Sequence, residues 1–250
     1  MKKIGILGGV GWASTIDYYR AICEGAGRFF ADRGAAAPLP VPPITIESVV
    51  QAQTRALRGR PGDEASWAPF DAVFRNALLT LERAGCDFAL IASNTPHARL
   101  HAIKKGVMMP VLSIFDATAR ATAATGATQA LVLGTAVTMQ ARNYANVLAE
   151  HGVSANDTLP EAEIAEMQAM IDEDFYGGAA SGAQDRLLRF CTKHARPGAA
   201  ILLACTELPL AFPDHIDDVS FEAGGFLFVN PSAAHVAAAL DLALEDERAG

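Results

Sequence analysis

The sequence predicts an α/β fold of two pseudo-symmetric lobes, each a parallel sheet flanked by helices. Short apolar runs alternate with longer helix-like segments, which is the pattern of βαβ units. The pattern then restarts, because the apolar run 130–133 ends in Gly134-Thr135 much as the run 4–7 ends in Gly8-Gly9. This restart near residue 128 indicates that the second half of the chain repeats the plan of the first.

A second repetition lies at the ends of two strands. Residues 88–92 are followed by Ser93-Asn94-Thr95, and residues 201–204 are followed by Cys205-Thr206-Glu207. Both runs are short and apolar, as strands buried within parallel sheets are. Residues just beyond the carboxyl ends of such strands carry the chemistry of open α/β sheets. We therefore expect Ser93 and Cys205 to face each other, with the active site in the inter-lobe cleft.

The remaining elements follow from the same alternation. The predicted strands are 4–7, 44–49, 88–92, 111–114, 130–133, 201–204 and 226–229. The predicted helices lie near 15–31, 69–84, 116–125, 139–151, 161–175, 184–194 and 231–244, with a polar loop at 51–60. Lobe 1, with Ser93, is expected to comprise residues 1–114 plus 215–250, and lobe 2, with Cys205, residues 115–214.

Composition excludes several classes of protein. The chain has 250 residues, a net charge of −8 and a pI of about 5.2, so we expect no nucleic-acid partner. No apolar run approaches the ~20 residues that span a bilayer, so we expect no membrane association. The four cysteines have neither CxxC nor Cys/His metal spacing. They indicate free thiols in a reducing, cytoplasmic compartment and no metal site.

Cys205 is the strongest candidate for a catalytic group. Pro209 indicates a helix just after it, and a thiol at a helix N-terminus has a lowered pKa and more thiolate. The alternative is a small buried hydrophobic residue, which we retain for Cys23, Cys86 and Cys191. Ser93 is a weaker base, because a hydroxyl needs a neighbour to take its proton. His97 is a candidate for a proton relay or for fixing the loop.

Two further features indicate anion binding. The loop around Gly9, Val10 and Gly11 follows a strand and opens a helix, which favours a small carboxylate. A dinucleotide is disfavoured, because no acidic residue follows at the expected spacing of about twenty residues; plain tight-turn glycines are the other alternative. Arg55 and Arg58 follow the second strand and suit carboxylate binding, unless they are simply solvated.

At these residues the chain resembles the aspartate/glutamate racemase superfamily, the pyridoxal-phosphate-independent amino acid racemases. The resemblance is carried by the 8–15 loop with Tyr18-Tyr19-Arg20, by Ser93-Asn94-Thr95-x-His97, by Leu133-Gly134-Thr135 with Thr138-Met139, and by Cys205-Thr206-Glu207-Leu208-Pro209. It implies two flavodoxin-like lobes, a homodimer and a cofactor-free two-base mechanism. Typical members have Cys at both catalytic positions, whereas one subgroup has a hydroxyl residue at the first, as Ser93 is here.

The resemblance also implies roles at matching positions. The α-carboxylate of an amino acid substrate would be held by the glycine loop, Asn94, Thr95, Thr135 and Thr206. Arg55, or Arg58 in another register, would meet the substrate's side chain, and Glu207 is a candidate proton relay or loop-fixing group. Glu166 stands where a Lys is typical, which weakens the case for aspartate or glutamate.

The sequence therefore predicts a cofactor-independent amino acid racemase, with an acidic substrate preferred. Cys205 and Ser93 are the predicted catalytic pair, because racemisation needs acid/base groups on both faces of one carbon. Two alternatives stay open. One is a single-thiol decarboxylase or isomerase of a substituted diacid, and the other is a non-catalytic small-carboxylate binding protein.

Overall fold

The computed structural model describes residues 1–60, 62–175 and 179–248. The chain divides into two compact units. Unit 1 comprises Met1–Ser113 together with the chain from His235 onward, and unit 2 comprises Ile114–Ala234. Each unit contains a sheet of parallel strands flanked by helices, which confirms the predicted α/β fold with two lobes.

Unit 1 is built on three parallel strands in the order β2-β1-β3. These are β1 (Ile4–Gly8), β2 (Ile44–Ser48) and β3 (Phe88–Ile91). The predicted strand at 111–114 is reduced to a single parallel bridge between Ala89 and Val111, because helix α5 already begins at Ile114.

Helices cover both faces of this sheet. They are α1 (Trp12–Ala31), α2 (Gln51–Ala56), α3 (Ala68–Arg83), α4 (Leu100–Ile103), α10 (Pro231–Ala243) and α11 (Glu245–Arg248). On one face Leu7 packs in a cluster with Phe74 of α3, and on the other Ile6 packs with Ile22 of α1 and Ala239 of α10. The residues predicted as a polar loop at 51–60 include helix α2.

Unit 2 repeats this plan with the strand order β5-β4-β6-β8-β7. Its strands are β4 (Gln129–Gly134), β5 (Ser154–Ala155), β6 (Ala200–Ala204), β7 (Ser220–Ala223) and β8 (Phe226–Val229). All neighbours are parallel except β7 and β8. The orders β2-β1-β3 and β5-β4-β6 correspond, so β3 and β6 occupy equivalent places in the two sheets.

The helices of unit 2 are α5 (Ile114–Ala124), α6 (Ala136–Gln140), α7 (Asn143–Glu150), α8 (Glu161–Met170) and α9 (Ala183–His194). A π-helical turn, Ile171–Phe175, continues α8. The single helix predicted at 139–151 is two helices, because Ala141 has an extended backbone that ends α6. None of the helices in the described ranges is long and apolar enough to cross a membrane.

The second boundary between the units differs from the prediction. We expected the chain to return to lobe 1 at 214/215, whereas it does so at 234/235. The reason is strand β8, which pairs with β6 from Ala200↔Leu227 to Leu202↔Val229 and so belongs to the sheet of unit 2. Residues 249–250 of the predicted lobe 1 lie outside the described residues.

Candidate active site

Cys205 follows strand β6 and lies in a network with its two neighbours. The residue is 7% exposed, and its Sγ donates a hydrogen bond to Glu207 Oε2 at 2.9 Å. The hydroxyl of Thr206 donates to the same oxygen at 2.8 Å. One carboxylate oxygen therefore accepts both donors and fixes the turn after β6.

Burial raises the pKa of the Cys205 thiol well above its ordinary value, and the charge of Glu207 raises the pKa further. The expectation of a lowered pKa is wrong for two physical reasons. The segment after Cys205 is a short 3-10 turn, Leu208–Ala211, and not an α-helix with a substantial dipole. The nearby charges that act on the thiol, Glu207 and Asp172, are both negative. Cys205 therefore rests as a neutral thiol.

Thr135 lies beside this turn. Strand register pairs Gly134 of β4 with Ala204 of β6, so Thr135 and Cys205 follow paired residues on adjacent strands. The Thr135 hydroxyl lies 3.1 Å from that of Thr138. Both threonines therefore stand at the carboxyl edge of the unit 2 sheet.

Helix α8 is joined to the same loop through residues that sequence reasoning missed. The backbone N–H of Ala136 donates to Gln168 Oε1 at 2.9 Å, and Gln168 Nε2 donates to Asp172 Oδ2 at 2.9 Å. The only sequence signal for this pair was its spacing of one helical turn, which is common in exposed helices. Glu166, by contrast, is exposed and lies 3.7 Å from Lys193 Nζ.

Ser93 follows strand β3 at the equivalent place in unit 1. Its backbone N–H donates to Ile91 O at 2.7 Å, so the chain bends sharply where β3 ends. The side chain is half-buried, and within the described residues its hydroxyl has no hydrogen-bond partner. The following residues, Asn94 and Thr95, are 4% and 6% exposed and precede a 3-10 turn that contains Pro96. Among the described residues, no side chain is therefore hydrogen-bonded to the Ser93 hydroxyl as a base.

His97 contacts backbone oxygens. Its Nδ1 lies 2.8 Å from Ser93 O and its Nε2 lies 3.3 Å from Leu112 O. Burial lowers the pKa of His97 to about 4, so the imidazole is neutral near pH 7. Of the two roles predicted from the sequence, this geometry favours fixing the loop.

A second buried imidazole, which the sequence analysis missed, completes this network. His235 is fully buried, its Nε2 lies 3.2 Å from Leu112 O, and its Nδ1 lies 3.1 Å from the hydroxyl of Tyr18. The loop after β3 is thus tied to α1 and α10. No local pattern marks His235, because its partners lie far away in the sequence.

The glycine loop after β1 has structural reasons for its composition. Gly9 has φ +83°, and a side chain there would meet Val49 O at 2.1 Å. Gly9 N–H donates to Thr15 Oγ1 at 2.9 Å, which closes the loop onto helix α1. Val10 and Gly11 are half-buried. The tight-turn explanation therefore accounts for Gly9, and carboxylate binding by this loop stays a prediction.

Arg55 lies in the last turn of α2 and is exposed, whereas Arg58 lies beyond the helix and is half-buried. Helix α2 follows β2, whose Ser48 pairs with Gly8, so both arginines belong to the chain that continues from this strand end. In the part of the chain that the structure describes, no group of three or more His, Cys, Asp or Glu side chains is arranged to hold a metal ion.

Comparisons with known proteins agree on one family. The family model of the Asp/Glu/Hydantoin racemases matches residues 7–239. The chain is 29% identical over 217 residues to the broad specificity amino-acid racemase RacX of Bacillus subtilis (strain 168), with 85% of this chain and 88% of that protein covered.

Solved structures show the same fold. An aspartate racemase homologue from Pyrococcus horikoshii OT3 is similar with a TM-score of 0.74 and 28% identity, over 97% of this chain and 99% of that one. The aspartate racemase of Picrophilus torridus has a TM-score of 0.70 at 19% identity, over 97% and 94% of the two chains, and supports the fold alone.

Proposed function

Because the chain belongs to the Asp/Glu/hydantoin racemase family, we propose that it racemises amino acids by proton transfer at the α-carbon without a cofactor. One observation carries the proposal. Ser93 and Cys205 follow β3 and β6, which occupy equivalent places in the two sheets. Each unit thus presents one polar group at the same point of its fold, as a two-base mechanism requires.

The proton transfers start from the neutral thiol. Glu207 already accepts the hydrogen bond of Cys205, so it takes the thiol proton and becomes a carboxylic acid. The thiolate then removes the α-proton from one face of the substrate, which returns sulfur to the thiol and leaves a carbanion. The Ser93 side delivers a proton to the other face, directly or through a water. Solvent then reprotonates the Ser93 side and accepts the Glu207 proton.

The carbanion is stabilised by delocalisation into the α-carboxylate, so donors to that group lower the barrier. We assign this role to the groups that follow strand ends: Gly9, Val10, Gly11, Asn94, Thr95, Thr135 and Thr206. His97 holds the loop that carries Ser93. For the side chain we propose a second carboxylate, as in aspartate or glutamate, with Arg55 as its partner and Arg58 as the alternative.

We further propose a homodimer and a cytoplasmic location. Helix α1 exposes Trp12, Ile16 and Tyr19, which are 69%, 57% and 47% accessible. Their spacing of four and three residues puts them on one face of the helix, and an exposed apolar face suits contact with a second copy. All four cysteines are free, which suits a reducing compartment.

The test is solvent-deuterium exchange at the α-carbon, across a panel of L- and D-amino acids. A racemase exchanges the α-proton and inverts the centre, and Cys205→Ala should abolish both while the circular dichroism stays unchanged. Release of CO2 from a substituted diacid would favour the single-thiol decarboxylase. Ligand binding with neither exchange nor CO2 release would favour a carboxylate-binding protein.

A further inference from the structure

A small pocket, open to solvent and with about 30 Å³ of space for water-sized groups, lies beside strand β4 in unit 2. Its walls come from β4, from helices α6 and α7, and from the segment that follows β5. Cys205 and Thr135 are not among its lining residues, but Thr138 is, and the Thr138 hydroxyl lies 3.1 Å from that of Thr135. Only the side chain of Thr138 therefore separates the pocket from Thr135, which we propose binds the α-carboxylate of the substrate.

The pocket exists because β5 is very short. β5 has two residues and pairs only with Gln129 and Ala130 of β4. Beyond that point the side chain of Asn156 replaces the strand, since its Oδ1 accepts the backbone N–H of Val132 at 3.1 Å. In unit 1 the corresponding strand β2 pairs with β1 over five residues. The outer edge of β4 is thus left open where the edge of β1 is covered.

Most polar groups that line this pocket are already used by the fold. Asn156 Nδ2 donates to Asp157 O at 2.6 Å, and Thr138 bonds Thr135. Arg142 is different. It is exposed at the start of α7, where its backbone carbonyl accepts from Asn146 N–H, and among the described residues its guanidinium has neither a hydrogen bond nor an ion pair. The N–H donors of its guanidinium can therefore bind a ligand.

The charges of the pocket favour a carboxylate. A guanidinium binds a carboxylate through two parallel hydrogen bonds, and does so more strongly where apolar walls limit water. Val132, Met139 and Leu159 supply such walls. Asp157 also lines the pocket, but its side chain is almost fully exposed, so water screens its charge, and its Oδ2 lies 3.9 Å from Nη2 of Arg196.

We propose that this pocket receives the far end of the substrate's side chain, and that Arg142 makes the enzyme prefer a carboxylate there. The proposal rests on the racemase function proposed above. The proposal also accounts for Glu166, which stands on α8 near Lys193 at a position where a Lys is typical. A cation for the side chain is supplied instead from the start of α7, by Arg142.

The test compares glutamate with glutamine, which differ only in the charge of the far group. In Arg142→Ala the ratio of kcat/KM for glutamate to that for glutamine should fall about tenfold or more, chiefly through KM for glutamate. Arg142→Lys should retain part of the preference, because it keeps the charge. Arg120→Ala is the matched control, since Arg120 pairs with Asp116 on α5 and does not line the pocket.

Several results would overturn the proposal. These are an unchanged ratio in Arg142→Ala, an equal loss for both substrates, or a wild type that racemises amino acids without any preference for acidic ones. If the wild type exchanges no α-proton at all, the racemase proposal fails separately. Isothermal titration calorimetry with glutamate then tests whether the pocket binds a carboxylate. Glutamate binding that is lost in Arg142→Ala but kept in Arg120→Ala still supports the site, and no binding or equal binding overturns it.

Discussion

The thiol of Cys205 donates a hydrogen bond to the carboxylate of Glu207, with Sγ and Oε2 2.9 Å apart. This contact holds the sulfur in its protonated form, since a neighbouring negative charge and burial both disfavour a thiolate. The thiol must lose its proton before it can act as a base. Glu207 is placed to receive that proton.

Alkylation tests this relationship. Iodoacetamide should modify Cys205 slowly at pH 7, and more slowly than an ordinary exposed thiol, because only the thiolate reacts. Glu207→Gln should speed the reaction severalfold, since removing the charge lowers the thiol pKa, and each pKa unit is about tenfold in thiolate fraction. Modification is followed by mass spectrometry, with Glu222→Gln as a surface control. Faster modification of the wild type than of Glu207→Gln would contradict the assignment.

Ser93 predicts an asymmetry between the two enantiomers. A hydroxyl accepts a proton less readily than a thiolate does, so one enantiomer should lose its α-proton to solvent much faster than the other. We expect Cys205 to serve the L-enantiomer. Ser93→Cys should raise the slower direction, whereas Ser93→Ala should not. Equal exchange rates for both enantiomers in the wild type would rule out this division of roles.

Because His97 is buried, we expect the stability of the protein to depend on pH. Its pKa is lowered from 6.5 to about 4, so between these values the unfolded chain binds a proton that the folded protein excludes. The contribution of His97 to the free energy of unfolding is therefore fully present above about pH 6.5. It is lost as the pH drops toward 4, which lowers the stability by ~3 kcal/mol.

Urea unfolding at a series of pH values measures this effect. His97→Gln should flatten the dependence between pH 4 and 6.5 by about one proton, although His235 contributes in the same direction. His215→Gln is the control, because His215 is half-exposed at the surface. An unchanged slope in His97→Gln would show that the imidazole is not held neutral.

The role proposed for Arg55 can be tested through the group at the end of the substrate's side chain. If the substrate carries a second carboxylate, Arg55→Ala should raise KM for aspartate or glutamate more than about tenfold, whereas losing a solvated arginine changes little. Arg58→Ala tests the alternative that Arg58 binds this carboxylate. Steady-state racemisation kinetics give KM for both variants. If both variants leave KM unchanged, neutral and basic amino acids become the substrates to try.

The alternation of strands and helices can be predicted from the sequence, because that signal is local. β8 lies at the predicted residues, and the strands that precede Ser93 and Cys205 end within one residue of their predicted ends. The candidate pair was also visible in the sequence, since a polar residue after a buried apolar run depends only on its neighbours along the chain.

Contacts between groups that are distant in the sequence could not be predicted, because they depend on how the chain packs. The pairing of β8 with β6 moved the second boundary by twenty residues, from 214/215 to 234/235, because strand pairing depends on side chains far apart in the sequence. The pKa of Cys205 rises because burial and the Glu207 charge act through space. His235 reaches Leu112 across 123 positions, and Arg142 lines a pocket only because β5 ends early. Burial and electrostatics depend on distances that no local pattern encodes.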